Sequence, residues 1–433
     1  MLFESTQISE FQAVVLCGYG NRMYPLTEDS NLPKGLLPVA NHPMIYYSLQ
    51  WLEKANINDV LIATYPDAKN KISAYVHEGN IHLNKVYETS MKIQVVEVPE
   101  NCGSAEALRV LKPLIKMDFI VFSCDLITDV SPNVLINSFR VQNRTMCALL
   151  YDSGSLETGD RKREDVEYIG IHDKTATLLF MESKADIGED DLDIRCSLIN
   201  KFQAVHLHSQ LRDAHLYLFK RWVLELVAKN KNIVSVKSDL VPLLLEAQHR
   251  KLVYNREGIE ALQDENSQDI FAKARLLSLS GNRSPSKVSC TAVCHLQGFT
   301  ARANTVWSYS EINRTLAKNT PSTVPQATEI SPKTQVGSDS LIGESTRIDE
   351  RCSVKRSVIG NHVKIGKNCK ISNSVIMDYV SIEDGVKLDN CVVCQSAKIL
   401  TKSELKDCEV SGKYVVDKET RAKGEHLVKN IDE

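Results

Sequence analysis

The stretch RIDERCSVKRSVIGNHVKIGKNCKISNSVIMDYVSIEDGVKLDN, Arg347 to Asn390, carries aliphatic residues at a short fixed interval and no helical periodicity. Ile348, Val354, Ile359, Ile365, Ile371, Ile376, Ile382 and Leu388 follow at steps of six, five, six, six, five, six and six, so one full cycle takes 17 residues. The pattern extends back through Ile330, Val336 and Ile342 and forward through Val393, Ile399, Leu405 and Val410. Small side chains stand four places after several of these aliphatics (Thr334, Ser340, Thr346, Cys352, Cys369), and Ser357, Ser374, Cys391 and Cys408 recur 17 apart. This is the pattern of a hexapeptide β-helix with one shortened face per coil. Each coil turns about three aliphatics inward, worth roughly 1.5–3 kcal/mol apiece on burial. No coil can bury them alone, so stacking is obligatory. The register puts Ile365 inside and Lys367 in solvent.

Upstream of the repeat, 283–326 is rich in Ser, Thr, Pro and Asn and reads as a connecting segment between 1–282 and the β-helix of 327–433, tail included. The chain is long enough for two cores, because single cores stop growing at roughly 250–300 residues. From Phe11 to Tyr151 short β-rich runs (QAVVL, VLIAT, IQVVEV, FIVFS, MCALLY) alternate with amphipathic segments, which predicts a Rossmann-like α/β domain whose parallel sheet is covered on both faces. Asn41 is the expected N-cap of one intervening helix, with Pro43 in its first turn and Ile45, Leu49 and Leu52 on its core face. The stretch from Asp152 to Asp193 is expected to supply loops and edge strands, and Arg212 to Asn230 a strand running into a helix.

The formal net charge of −3 gives no footprint for gripping a phosphate backbone, and the run Arg161-Lys162-Arg163 is flanked by acids, so no direct nucleic-acid partner is expected. No apolar stretch approaches the ~20 residues of a membrane span, and the N-terminus lacks a basic segment followed by an apolar one, so a cytosolic protein with no membrane contact is expected. Twelve cysteines scattered through apparent strands and helices suit reduced, mostly buried thiols.

Directly after the first strand comes LCGYGNRMYPLT, Leu16 to Thr27, and then LPKGLLPVANHP, Leu32 to Pro43. Gly18 and Gly20 would let backbone N–H groups approach a phosphate or base, while Arg22 and Lys34 offer it positive charge. A dinucleotide-binding loop would need a third Gly near Met23 and an acid about 20 residues on; neither is there. The block resembles the signature of sugar-1-phosphate nucleotidyltransferases. Glu100 to Ala105, with Gly103 and Ser104, resembles that family's base-reading segment, and Ser123-Cys124-Asp125 its magnesium-binding Gly-Asp. Catalysis there needs two carboxylates on the metal. The usual second one, in Gly-x-Trp-x-Asp-x-Gly, has no counterpart after Asp239, Phe180 to Lys184 is a degraded sugar-side signature, and Asn21 and Cys124 replace the usual Thr and Gly.

That combination is similar to the gamma subunits of eukaryotic translation initiation factor 2B, through VVLCGYGNRMYPLT, FSCDLITDV, RDAHLYLFKRWV, SDLVPLLL, ARANTVWSYSEINR and the terminal repeat. The resemblance implies a non-catalytic subunit of a guanine nucleotide exchange factor. Its partners would be the epsilon subunit, the other subunits of that complex, and initiation factor 2. No cofactor is required on this reading, and Gly18, Gly20, Arg22, Lys34, Gly103, Ser104 and Asp125 form a vestigial pocket for weak binding of a nucleotide or sugar phosphate, with Asp125 the residue to touch any metal. The alternative is an active sugar-1-phosphate guanylyl- or uridylyltransferase. Cys290-x3-Cys294-His295 and Cys391-x2-Cys394 have zinc-like spacing, and His362 could suggest an acyltransferase base, but each reads better as an ordinary structural residue.

Overall fold

The computed structural model describes residues 10–28, 32–83, 91–141, 144–152, 166–184, 192, 194–202, 204–265, 288–320, 325 and 327–428. Arg161 to Arg163 lie outside them. The chain forms two compact units: Met1–Cys17 with Ser48–Ala301, and Gly18–Tyr47 with Arg302–Glu433.

Ahead of the repeat the strands are β1 (Phe11–Cys17), β2 (Pro38–Val39), β3 (His42–Pro43), β4 (Asp59–Thr64), β5 (Lys92–Glu97), β6 (Asp118–Ser123) and β7 (Leu126–Thr128). They continue as β8 (Met146–Asp152), β9 (Glu167–His172), β10 (Thr177–Ser183), β11 (Val205–His208), β12 (Leu211–Phe219), β13 (Cys290–His295) and β14 (Thr300–Arg302). The first helices are α1 (Met44–Lys54), α2 (Pro66–Leu83), α3 (Ser104–Leu111) and α4 (Pro132–Val141).

All five β-rich runs form strands in the first unit, within a ten-stranded sheet of order β11-β9-β10-β13-β8-β12-β6-β1-β4-β5. β1 pairs parallel with β4 and β6, and β4 with β5. The sheet as a whole is mixed, which corrects the expected parallel one: β12 runs antiparallel to both β6 and β8. Hydrophobic periodicity marks a strand but carries no direction, and β12 begins at Leu211, a long connection after β8 ends at Asp152. Arg212 to Asn230 does run from strand into helix, as β12 and Arg221–Lys229. The core joins Leu108 and Leu111 of α3, Phe119 of β6, Phe219 of β12, and Val223 and Val227 of that helix.

The segment 283–326 is not a mere connection. β13 inserts between β10 and β8, parallel to β8 from Cys290↔Met146 to His295↔Tyr151. Its CTAVCH sequence is short and rich in small residues, which a composition reading takes for loop although the β-branched Thr291 and Val293, two apart, suit a strand. β14 pairs with β7, and the Thr128 and Thr300 hydroxyls meet at 2.7 Å.

In the second unit the repeat forms a left-handed parallel β-helix of three six-stranded sheets. Ile348, Ile365, Ile382 and Ile399 stack in register. From Ile342 to Val410 every predicted inward aliphatic is buried, whereas Ile330 and Val336, in the first coil, are half-buried. The stack runs on through Val416, Ala422 and Leu427, one coil beyond the repeat read from sequence. At one corner each hydroxyl accepts the next coil's amide: Ser357 N–H donates to Ser340 Oγ, Ser374 N–H to Ser357 Oγ, and Cys391 N–H to Ser374 Oγ. Small side chains recur there because the ladder needs a short acceptor.

The third sheet has apolar residues on its outward side too. Leu341, Val358, Val375 and Val392 are buried there, and helix Val306–Asn319 packs on this sheet with Tyr309 and Ile312 fully buried. The loop 18–47 belongs to the same unit. Ala40 and Asn41, at φ +47° and +66°, make the turn of hairpin β2–β3. Asn41 is therefore a turn residue, not the helix N-cap, and Pro43 lies in β3 just before α1 begins at Met44. A capping side chain and a left-handed hairpin turn favour the same residue, and here the turn prevails. Asn41 Nδ2 donates to Ile359 O at 3.0 Å, and Ala40 N–H to Asn313 Oδ1 at 2.9 Å. The core stripe of α1 is as expected, with Ile45, Leu49 and Leu52 buried.

Candidate functional site

In the first unit, β1, β4 and β6 end at one edge of the sheet, where ligands of open α/β sheets collect. β6 ends at Ser123; Cys124 N–H donates to Leu16 O, and Asp125 follows. Asp125 is fully buried, and its Oδ1 accepts a 2.6 Å hydrogen bond from Ser123 Oγ. Gly103 and Ser104 open α3 after β5. A helix N-terminus with free amides is an anion site, but here the chain itself meets them. Gly103 N–H donates to Glu106 Oε2, while Ala105 and Glu106 N–H both donate to Val234 O. Ser104 Oγ accepts from Val236 N–H at 2.8 Å. A Cβ on Gly103 would stand 2.5 Å from Val234 Cγ1, so glycine is required by the approach of 234–236.

Magnesium in a transferase site is held by one or two carboxylates together with substrate phosphates. Asp239 accepts from Val234 and Ser235 N–H and so closes a turn. Among the described residues no group of three or more His, Cys, Asp or Glu side chains could hold a metal ion. Asp125, the carboxylate at the end of β6, is buried with its Oδ1 taken by the Ser123 hydroxyl.

Gly18, Gly20, Arg22 and Lys34 lie in the second unit. Gly20 takes φ +78°, and a Cβ there would come within 2.9 Å of Lys34 Cδ, so the loop folds down on the lysine stem. Thr27 Oγ1 donates to Gly20 O at 3.0 Å. Lys34 is only 7% exposed, and its Nζ donates to Asn304 Oδ1 at 2.9 Å. Gly18 faces open space, with nothing within 4 Å of a Cβ position, and Arg22 is exposed.

Sequence reasoning missed a buried polar cluster in the first unit. The register of β12 against β8 shifts between Asp213 and Tyr217, and His215 there adopts φ +52°. Asp213 accepts from His215 N–H at 2.9 Å and from the Tyr217 hydroxyl. Glu167 accepts from Asp213 N–H and pairs with Lys237. Burial, reinforced by the Glu167 charge, pushes the Asp213 carboxyl up to about 6 against the pull of Lys237. The available signal was an aspartate inside RDAHLYLF, a segment that reads as a strand.

The lesser motifs take structural places. Cys290 is buried in β13 while Cys294 is exposed. Cys391 and Cys394 are both buried, and Cys391 Sγ donates to Asp389 O and Leu405 O. His362 stacks on Tyr379 with ring centroids 5.0 Å apart. Glu182 and Lys184, from the degraded sugar-side signature, are exposed at the end of β10.

Comparison with known proteins accords with both units. A nucleotidyl transferase family model matches residues 12–156, and a model described as the EIF2B subunit epsilon LbH domain matches residues 324–422. Translation initiation factor eIF2B subunit gamma of Schizosaccharomyces pombe is 38% identical over 97% of this chain and 90% of its own length. The protein of the same name from Dictyostelium discoideum is 28% identical over 81% of this chain and 87% of its own. The eIF2B subunit epsilon of S. pombe is 24% identical over 53% of this chain and 34% of its own length.

Proposed function

The chain belongs to the family of translation initiation factor eIF2B gamma subunits, and from that premise we propose that it is a subunit of the exchange factor with no transferase activity of its own. It is a component of the eIF2B complex that pairs with the epsilon subunit, contacts the remaining subunits, and helps hold initiation factor 2 while GDP is exchanged for GTP in the cytosol. The observation that carries the non-catalytic reading is the state of the inherited pocket residues: Asp125 is buried against Ser123, Lys34 is bonded to Asn304, and the amides of α3 are engaged by Val234. These three groups, which would have to meet a nucleotide or its metal, already have partners in the chain. Gly18 and Arg22 stay open to solvent, which supports weak binding of a nucleotide or sugar phosphate without turnover.

A magnesium-dependent pyrophosphate-release assay with nucleoside triphosphates and a panel of sugar-1-phosphates should give no turnover above background, while calorimetry with the same ligands should give weak binding. Multiple turnovers that disappear in Asp125→Ala would restore the transferase. Mixed with the epsilon subunit, the chain should accelerate GDP release from initiation factor 2; an exchange rate indifferent to its presence would remove the proposed role.

A further inference from the structure

The three outer faces of the β-helix differ. The third is apolar and covered by helix Val306–Asn319. The second is built from the stacked strands Ser353–Lys355, Lys370–Ser372, Lys387–Asp389, Glu404–Lys406 and Arg421–Lys423, and on each the first and third residues point outward while the middle one is buried. Those outward positions hold six cations and two carboxylates, in a chain whose formal net charge is −3. Those of the last four strands, from Lys370 to Lys423, line a shallow groove of about 550 Å³.

The cations are not dispersed. Lys370 stands directly across from Lys387, and Lys406 directly across from Lys423. Neighbouring strands are about 4.8 Å apart, and like charges directly opposite are destabilising. Glu404 relieves part of this, at 2.6 Å from Lys387 and 3.7 Å from Arg421, and Asp389 lies 3.9 Å from Lys406. Lys370 and Lys423 have no ion-pair partner among the described residues, and both are exposed. A like-charge ladder on an open face costs the isolated fold stability, and an anionic partner would remove that cost.

We propose that this face docks an acidic segment of a partner protein, its carboxylates set over Lys370, Lys387, Lys406 and Lys423. A protein segment fits better than a nucleic acid for two reasons. Asp389 and Glu404 sit in the middle of the face, where they repel a continuous phosphate backbone but can accept from a peptide's amides and hydroxyls. The face also carries no aromatic side chain on which a base could stack.

The test uses the full chain and a fluorescent peptide of alternating Glu and Ser, followed by anisotropy. Saturable binding is expected, weakened roughly tenfold or more in Lys370→Glu/Lys423→Glu and less in Lys370→Gln/Lys423→Gln. Lys364→Glu/Lys398→Glu makes the same charge change on the first sheet, where both lysines are exposed, and should leave binding unchanged. Absence of saturable binding would overturn the proposal. So would equal weakening by the two Glu pairs, or displacement of the peptide by a lower concentration of a single-stranded RNA of equal charge.

Discussion

Ile365→Asp should melt the middle of the β-helix, whereas Lys367→Asp, two positions on, should leave it intact. Ile365 is 2% exposed and is stacked between Ile348 and Ile382. Its loss removes about 2–3 kcal/mol of burial, and the new carboxylate enters a stack with no polar partner, adding a desolvation penalty. Because each coil is stabilised chiefly by its neighbours, the damage should spread to the coils above and below. Lys367 is exposed, so its replacement should change stability by about 0.5 kcal/mol or less. Hydrogen exchange over residues 340–420 distinguishes the two. Equal loss of protection in both variants, or a greater loss in Lys367→Asp, would mean that the assigned register is wrong.

The second large effect concerns pH. Burial and Glu167 raise the folded-state titration of Asp213 from an ordinary 3.8 to about 6. A carboxyl raised in this way contributes stability that is fully present below about pH 3.8 and is lost as pH rises through about 6. At neutral pH the ionised carboxylate therefore costs the fold about 3 kcal/mol. Asp213→Asn keeps an acceptor for His215 N–H and the Tyr217 hydroxyl while removing the charge. It should be more stable than the parent at pH 7, with a flatter stability profile between pH 4 and 6. Lys237→Met should do the opposite, since it leaves Glu167 beside Asp213 without a cation; breaking a buried pair costs about 3–5 kcal/mol, discounted here because the Lys237 side chain is 29% exposed. Urea unfolding of the three proteins across this range checks both. An Asp213→Asn profile that parallels the parent's would show that this carboxyl does not titrate in the window.

The β-helix was legible almost to the residue, because a 17-residue period fixes which side chains point inward and therefore the register. The strands of the first unit were legible as strands, but not their directions, since β12 and β13 reach the sheet from far along the chain. The candidate site was legible only as a set of positions. Motifs single out Lys34 and Gly103, yet what each of them touches lies far along the chain: Asn304 for Lys34, Val234 for Gly103. Asp213 lies in a segment that reads simply as a strand, and its burial depends on a shift in strand register that no local pattern marks.

The bonds that fix the loop 18–47 span an unusual length of chain. Lys34 to Asn304, Ala40 to Asn313 and Asn41 to Ile359 are separated by 270, 273 and 318 residues. At roughly 5–20 residues per second of synthesis, that loop leaves the ribosome about a quarter of a minute to a minute before its last partner exists. Throughout that interval the most recognisable motif of the chain has nowhere to dock, although the strand before it, β1, needs only β4 and β6 to begin forming its sheet. The nascent protein thus carries its signature loop as an unfinished element until the β-helix has begun to coil, and a ribosome that stalls before Ile359 holds a chain whose first motif is still waiting.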